Sequence, residues 1–476
     1  MTTRDHRRLR VVDLFCGAGG FSLGFQAAGC DILAAVDIDE AAARTYADNV
    51  GRSQPYAPPI VISGDEGNLE DLDVERLVTR GLPDILIGGP PCQGFSLIGR
   101  AKLDSLTDDG HAADPRNELY LRFLDAAELW RPLAVVMENV PGMLSIRGRN
   151  VADEAAADLA ARGYRVGYAA LNAAWYGVPQ YRERLFFIGI RSDLELTPAM
   201  PAATHSTVLP SGYLRPLAER TAPLPFIEHS ELPVDTSKAS QPATTTWEAL
   251  GDLPRLTDHL SPIPTESSGF PRTAEYVHAP HSRYARIMRS WPGLPIPHSV
   301  QDHLIRRTPR DYETFRRMKP GDRYPEALAI SRARLQEQLQ HLAATGNAPA
   351  AGTPEYLALE RRFVPPYPEE MFVDKWRKLL PDKPSWTVPA HLSKDAYSHI
   401  HYDSDQARSI SIREAARLQS FPDAFKLSGN LGERFRQVGN AVPPLVAWAV
   451  AGRLLESLGF DRTAPTWSEV EMVACT

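Results

Sequence analysis

Four side chains in this sequence have the chemistry of a reaction centre: the Cys92 thiol, the Glu138 carboxyl, and the guanidinium groups of Arg182 and Arg184. Cys92 sits in the run DILIGGPPCQGFS, residues 84–96. Ile85, Leu86 and Ile87 read as a short buried strand, which Gly88, Gly89, Pro90 and Pro91 bring to an end. The thiol is thereby delivered at the carboxyl end of a strand, where open α/β sheets place ligands. Two prolines restrict the loop that carries it, and a nucleophile gains from being held still. The competing reading is a small cysteine buried in a tight turn. Glu138 ends a second apolar run, residues 133–137. Beside Val136 and Val140, a desolvated carboxyl would hold its proton to higher pH, as a proton donor requires. A capping or ion-paired glutamate is the alternative. Arg182 and Arg184 alternate with Tyr181 and Glu183. On a strand that period puts both arginines on one face, where they would favour a thiolate or pair with surface acids.

The elements that must position these groups repeat a strand–helix pattern. Residues 11–15 read as a first strand, followed by glycines at 17, 19 and 20. Glycine lets backbone amides approach a ligand at the start of a helix. The spacing is not GxGxxG, because Ser22 stands where the third glycine would be. Residues 31–38 read as a second strand ending at Asp37; an acid about 20 positions after the first glycine typically bonds ribose hydroxyls. Asp39 and Glu40 open a helix through Tyr46 as first-turn acids. Residues 60–65 form a third strand ending in Asp65. Residues 118–130 form an amphipathic helix with Leu119, Phe123, Ala126 and Ala127 on one face. Further strands are expected at 133–137, 168–174 and 184–190. This alternation predicts βαβ units and a mostly parallel sheet, the α/β class. Residues 97–116 are too long for a plain turn and read as a functional loop.

The 476 residues carry a net charge of −7, which is not the whole-chain signature of a nucleic-acid binder. The charge is unevenly spread. Residues 271–400 hold 20 Lys and Arg against 14 Asp and Glu. These basic residues are interleaved with Tyr284, Trp291, Tyr312, Phe315, Tyr324 and Trp376, which predicts phosphate and base contacts. A solvated mixed surface is the alternative. Proline is frequent from Pro198 onward, so an irregular second domain is expected there. The four cysteines, Cys16, Cys30, Cys92 and Cys475, show neither metal-ligand spacing nor a disulfide framework, consistent with a reducing cytoplasm. Asp13 interrupts the apolar stretch after the amino-terminal arginines, which argues against a leader, and no run is long enough to span a bilayer. Ser411, with Glu414 three residues on, predicts a capping box, and residues 445–458 an apolar helix.

Five motifs, in order, resemble those of the DNA cytosine-5 methyltransferases: DLFCGAGGFSLGF at 13–25, PPCQGFS at 90–96, ENV at 138–140, QYRERLFFIG at 180–189 and RQVGNAVPP at 436–444. They span most of the chain and leave only its middle unmatched. The resemblance implies a Rossmann-like S-adenosylmethionine-dependent domain over residues 1–195. It also implies a smaller, irregular target-recognition domain over 196–428 and a segment, 429–476, that returns to the first. Cys92 would add to C6 of a cytosine, Glu138 would bond N3 and the exocyclic amine, and Arg184 and Arg182 would stabilise the adduct. S-adenosylmethionine would be held by Phe15, Gly17, Gly19, Gly20, Asp37, Ile38, Asp65, Pro91, Leu119 and Asn440. Duplex DNA is the implied partner, contacted by Gln93, Ser96, Thr387 and Arg408, with the target base flipped out of the stack. The implied setting is bacterial restriction-modification: a cytoplasmic monomer, with no metal and no membrane, acting apart from any cognate endonuclease. Other readings stay open. A nicotinamide oxidoreductase could use the glycine turn and Asp37, though it has no use for PPC, ENV and RER together. A DNA-binding module with an inactive core and an RNA cytosine methyltransferase are the others.

Overall fold

A computed structural model describes residues 7–52, 57–69, 72–91, 116–146, 150–215, 231–261, 273–369, 375–392, 394 and 396–460. Cys92, Gln93, Ser96 and the loop expected at 97–116 therefore lie largely outside the described residues.

Strands β1 (Arg10–Leu14), β2 (Asp31–Asp37), β3 (Ile60–Ser63), β4 (Ile85–Gly88), β5 (Ala134–Asn139), β6 (Tyr164–Asn172), β7 (Gln180–Tyr181) and β8 (Glu183–Arg191) follow in chain order. All but β7 join one seven-stranded sheet, in the order β3-β2-β1-β4-β5-β8-β6. β1 to β5 pair in parallel, and β8 is antiparallel to β5 and β6. Successive residues of a strand point to opposite faces, and the cores divide accordingly. Val11, Ile85, Ile87 and Val136 enter one core. Val12, Leu14, Leu86, Val135 and Met137 enter the other.

Helices α1 (Gly20–Ala27), α2 (Glu40–Asn49), α3 (Arg116–Trp130) and α4 (Val151–Ala161) connect the strands. Asp39 caps α2 by accepting the amides of Ala41 and Ala42 at 3.0 and 3.1 Å. Later come α5 (Thr246–Leu250), α6 (Arg283–Arg289), α7 (Tyr312–Arg317), α8 (Tyr324–Ala344), α9 (Pro354–Arg361), α10 (Ile412–Leu418), α11 (Leu431–Asn440) and α12 (Pro444–Ser457). Gly24 lets α1 lie directly on α12, since a Cβ there would sit 2.5 Å from the Trp448 amide nitrogen. The stretch Leu431–Ser457 is apolar enough to cross a membrane, but 83% of that apolar window is buried in the protein.

The middle region corrects one expectation. Tyr284, Trp291, Phe315, Tyr324 and Trp376 are all buried, at 3% exposure or less. They hold the interior together and cannot reach a groove. Tyr284, Ile287 and Trp291 join the first core, together with Ile412 and Leu418 of α10. Phe315, Met318, Tyr324, Ala327, Leu328, Trp376 and Ile400 form a separate small core. Within it Trp376 stacks on Tyr397 with ring centroids 4.6 Å apart. Much of the stretch 196–428 thus shares the core of the large sheet, and only part of it has a core of its own.

Candidate active site

The order of strands reverses between β1 and β4, the switch point where open α/β sheets form a crevice at their carboxyl ends. A cavity of about 620 Å³ opens there, within the range of about 300–1,000 Å³ usual for small-molecule sites. Phe15 and Gly17 follow β1, Asp37 ends β2, Gly89 to Pro91 follow β4, and Glu138 stands near the end of β5; all line it. Gly20, Ile38, Leu119, Arg184 and Asn440, also expected at the site, stand on its wall.

Each of these positions has a local cause. Phe15 adopts φ 62°, a left-handed conformation that costs a bulky residue about 1–3 kcal/mol and is typical of functional turns. Asp37 accepts the Gly17 amide on Oδ2 and the Asp39 amide on Oδ1, each at 2.8 Å, which ties the ends of β1 and β2 together. Burial raises the Asp37 pKa against those hydrogen bonds. Ile38 beside it is 63% exposed, an aliphatic surface left uncovered at the cavity rim. Asn139 donates to the Pro90 carbonyl at 3.0 Å, so the end of β5 holds the proline turn.

Glu138 Oε1 pairs with Arg184 Nε at 3.0 Å. Its other oxygen lies against Gly89, where a Cβ would approach to 3.3 Å. Burial raises the Glu138 pKa, and the guanidinium groups of Arg184 and Arg182 offset this only in part. Cys16 lines the same cavity, but burial followed by the Asp37 charge pushes its thiol far above the ordinary value, so it is no rival nucleophile.

Four expected positions are corrected. Gly19 does not line the cavity: at φ 97° it caps α1, and a Cβ would meet Tyr46 and Val50 side-chain atoms at 2.8 Å. Asp65 is exposed, because β3 stops at Ser63 and a short helical turn, Gly64–Gly67, swings it outward; Asn68 takes the place on the wall. Arg182 is not beside Arg184 on one face. It falls between β7 and β8, is 1% exposed, and donates to the carbonyls of Val388, Gly439 and Ala441 at 3.2, 2.9 and 3.1 Å. Arg408 is 1% exposed and grips both oxygens of Glu414 at 2.7 Å, which leaves nothing for DNA. Thr387 is half-buried and donates its hydroxyl to the Tyr181 carbonyl at 2.8 Å. The sequence reading missed Asn139, Arg436 and Gln437, though all three belong to motifs it used. Arg436 pairs with Asp39 at 2.7 Å across the rim, and Gln437 accepts from Thr45 at 2.7 Å.

The model of the C-5 cytosine-specific DNA methylase family matches residues 9–456. A candidate type II methyltransferase of Oceanobacillus iheyensis, M.OihORF3336P, is 36% identical over 96% of this chain and 97% of its own length. The type II methyltransferase M.AgeI of Thalassovita gelatinovora is 33% identical over 93% of this chain and 98% of its own. Among solved structures, a candidate DNA modification methyltransferase encoded within an E. coli prophage covers 94% of this chain and 99% of its own, with a TM-score of 0.57 at 21% identity, which speaks to fold. The family match extends from before β1 to the end of α12 and so takes in every wall of the cavity. On that breadth, and on relatives above 30% identity along nearly their whole length, the chain belongs to the C-5 cytosine-specific DNA methylases.

Proposed function

We propose that the protein transfers a methyl group from S-adenosylmethionine to C5 of a cytosine flipped out of duplex DNA, through a covalent bond between Cys92 and C6. The observation that carries this reading is the shared cavity: Glu138, with its raised pKa, faces the same space as Asp37, Ile38 and Pro91, the residue before Cys92.

The residues present suit that methyl donor. Asp37, already fixed by two amides, has acceptor capacity for ribose hydroxyls, and exposed Ile38 offers an apolar face to adenine. Phe15, Gly17, Gly20, Leu119 and Asn440 would enclose the rest. When bound, S-adenosylmethionine supplies an electrophilic methyl group.

Cytosine C5 is a weak nucleophile. Addition of the Cys92 thiolate to C6 moves electron density to C5. Protonated Glu138 donates to N3 and so stabilises the negative charge that addition places on the ring. Arg184 holds Glu138 in place and favours the same charge. After C5 is methylated, its proton passes to water, N3 returns its proton to Glu138, and the Cys92–C6 bond breaks, restoring thiolate and aromatic ring. Extruding the base costs a few kcal/mol, which contacts from residues 200–400 offset. The type II names of the relatives support a modification role beside a separate endonuclease, and a monomer in the cytoplasm fits that role.

The test is transfer of a labelled methyl group to duplex DNA, with bisulphite sequencing to find the site. Cys92→Ala should abolish transfer and leave DNA affinity within about threefold. A duplex with 5-fluorocytosine at the mapped site should trap the wild type and not the variant. Full activity in Cys92→Ala would end the covalent mechanism.

A further inference from the structure

Arg182 is a buried cation that forms no ion pair among the described residues, although the charges of Glu138 and Arg184 act on it. A group so expensive to bury needs a reason. Its donors reach two segments far apart in sequence. One is the Val388 carbonyl, just beyond the short strand Ser385–Trp386 that pairs in parallel with β7. The other is the carboxyl end of α11, which holds Asn440 on the cavity wall and is gripped at the carbonyls on either side of it, Gly439 and Ala441.

The two segments also touch directly. A Cβ on Gly439 would lie 2.5 Å from the nitrogen and Cα of Ala390, so backbone packs on backbone. Gln180 strengthens the joint. Its Oε1 accepts the Val388 amide at 2.8 Å, and its Nε2 donates to Gln419, which itself donates to the Ala441 carbonyl at 2.8 Å. The strand Ser385–Trp386 connects onward to the separate small core through Arg377, stacked over Trp386 at 3.9 Å. Two residues past Arg182, Arg184 holds Glu138.

We propose that Arg182 is a positioning residue that couples DNA recognition to the methyl-donor cavity, by fastening the backbone at Val388 to the end of α11 that carries Asn440. This rests on the function proposed above. A guanidinium is a planar fork, and one arm cannot follow a moving carbonyl without disturbing the other. Displacement of residues 385–390 would strand a buried donor. A DNA contact that fixes those residues therefore fixes the cavity wall, and a ligand in the cavity fixes residues 385–390. Such coupling is reciprocal by linkage.

The experiment is calorimetric titration with S-adenosylhomocysteine, alone and with saturating unmethylated duplex DNA that the wild type is shown to methylate. The wild type should bind it at least about fivefold more tightly with DNA, the low end of typical coupling. In Arg182→Met and Arg182→Lys that ratio should fall below about twofold. Lysine keeps the charge but not the fork. A purely structural role would weaken binding with and without DNA alike and leave the ratio unchanged, and that result overturns the proposal. A wild-type ratio of one overturns it as well. Absence of S-adenosylhomocysteine binding under both conditions instead overturns the proposed function, and this inference with it. Should Arg182→Met not fold, the lysine variant and hydrogen exchange on the wild type decide: amides of residues 438–441 must gain protection on adding DNA alone, and no gain refutes the coupling.

Discussion

Replacing Arg408 by alanine separates two roles for a basic residue in a DNA-modifying enzyme. Its guanidinium bonds both Glu414 oxygens at 2.7 Å, Gln406 Oε1 at 2.7 and 3.2 Å, and the Ser409 carbonyl at 3.1 Å, with 0% of its side chain exposed. Removing one partner of a buried pair costs about 3–5 kcal/mol, because the other charge stays behind. With about 2.1 cal/mol/K of unfolding entropy per residue, a chain of 476 residues melting as one unit should lose about 3–5 °C in Tm. The loss should depend on pH. Burial alone would raise Glu414, but Arg408 chiefly, with His401 and His303, holds it far below the ordinary carboxylate range. That stability is present above the unfolded pKa of Glu414 and is lost as pH falls. Without Arg408 the folded pKa rises above the unfolded one, so the variant loses stability as pH rises. The gap between wild type and variant should therefore narrow from pH 8 to pH 5. Thermal melts at several pH values measure this. Well below the melting point, DNA affinity and its salt dependence should match wild type. An unchanged Tm, with weaker DNA binding and a salt slope smaller by about one, is the signature of a phosphate contact and would refute the buried-pair argument.

Glu138→Gln should lower kcat by about 10²–10⁴-fold, the usual worth of a positioned proton donor. In the wild type kcat should fall as pH rises through the raised Glu138 pKa, and this alkaline limb should vanish in the variant; a pH-rate profile that keeps it assigns the limb to another group. Gly20→Ala should destabilise by about 1–3 kcal/mol through overpacking, since its Cβ would collide with the Val442 carbonyl and crowd Phe421. Because Gly20 and Val442 both line the cavity, the KM for S-adenosylmethionine should rise more than kcat falls, and steady-state kinetics that show the reverse would place the strain elsewhere.

What could be read without coordinates is what depends on near neighbours in sequence. The Ser411–Glu414 capping box is present, with the Glu414 amide on Ser411 Oγ at 3.1 Å and the Ser411 amide on Glu414 Oε2 at 2.7 Å. The strands that end at Asp37 and Gly88 were legible from short apolar runs stopped by an acid or by glycine and proline. Arg408 was misjudged because its identity says nothing about whether Glu414, six residues on, folds back onto it. Tyr284 and Trp291 were misjudged for a different reason, and here part of the signal was available. Tyr284, Ile287 and Met288 follow the i, i+3, i+4 spacing of one face of α6 and are buried, and Trp291, just beyond the end of that helix, is buried as well. Period should have outweighed a basic and aromatic composition. The far wall of the cavity is the hardest part to foresee locally, since Thr45 and Gln437 meet across 392 positions. Only the RQVGNAVPP motif pointed there. A sequence that closes its ligand cavity with its own distant end makes the site depend on the completed fold. This is the physical reason that Arg182, which holds that end in place, reads as catalytic in sequence and as a fastening in space.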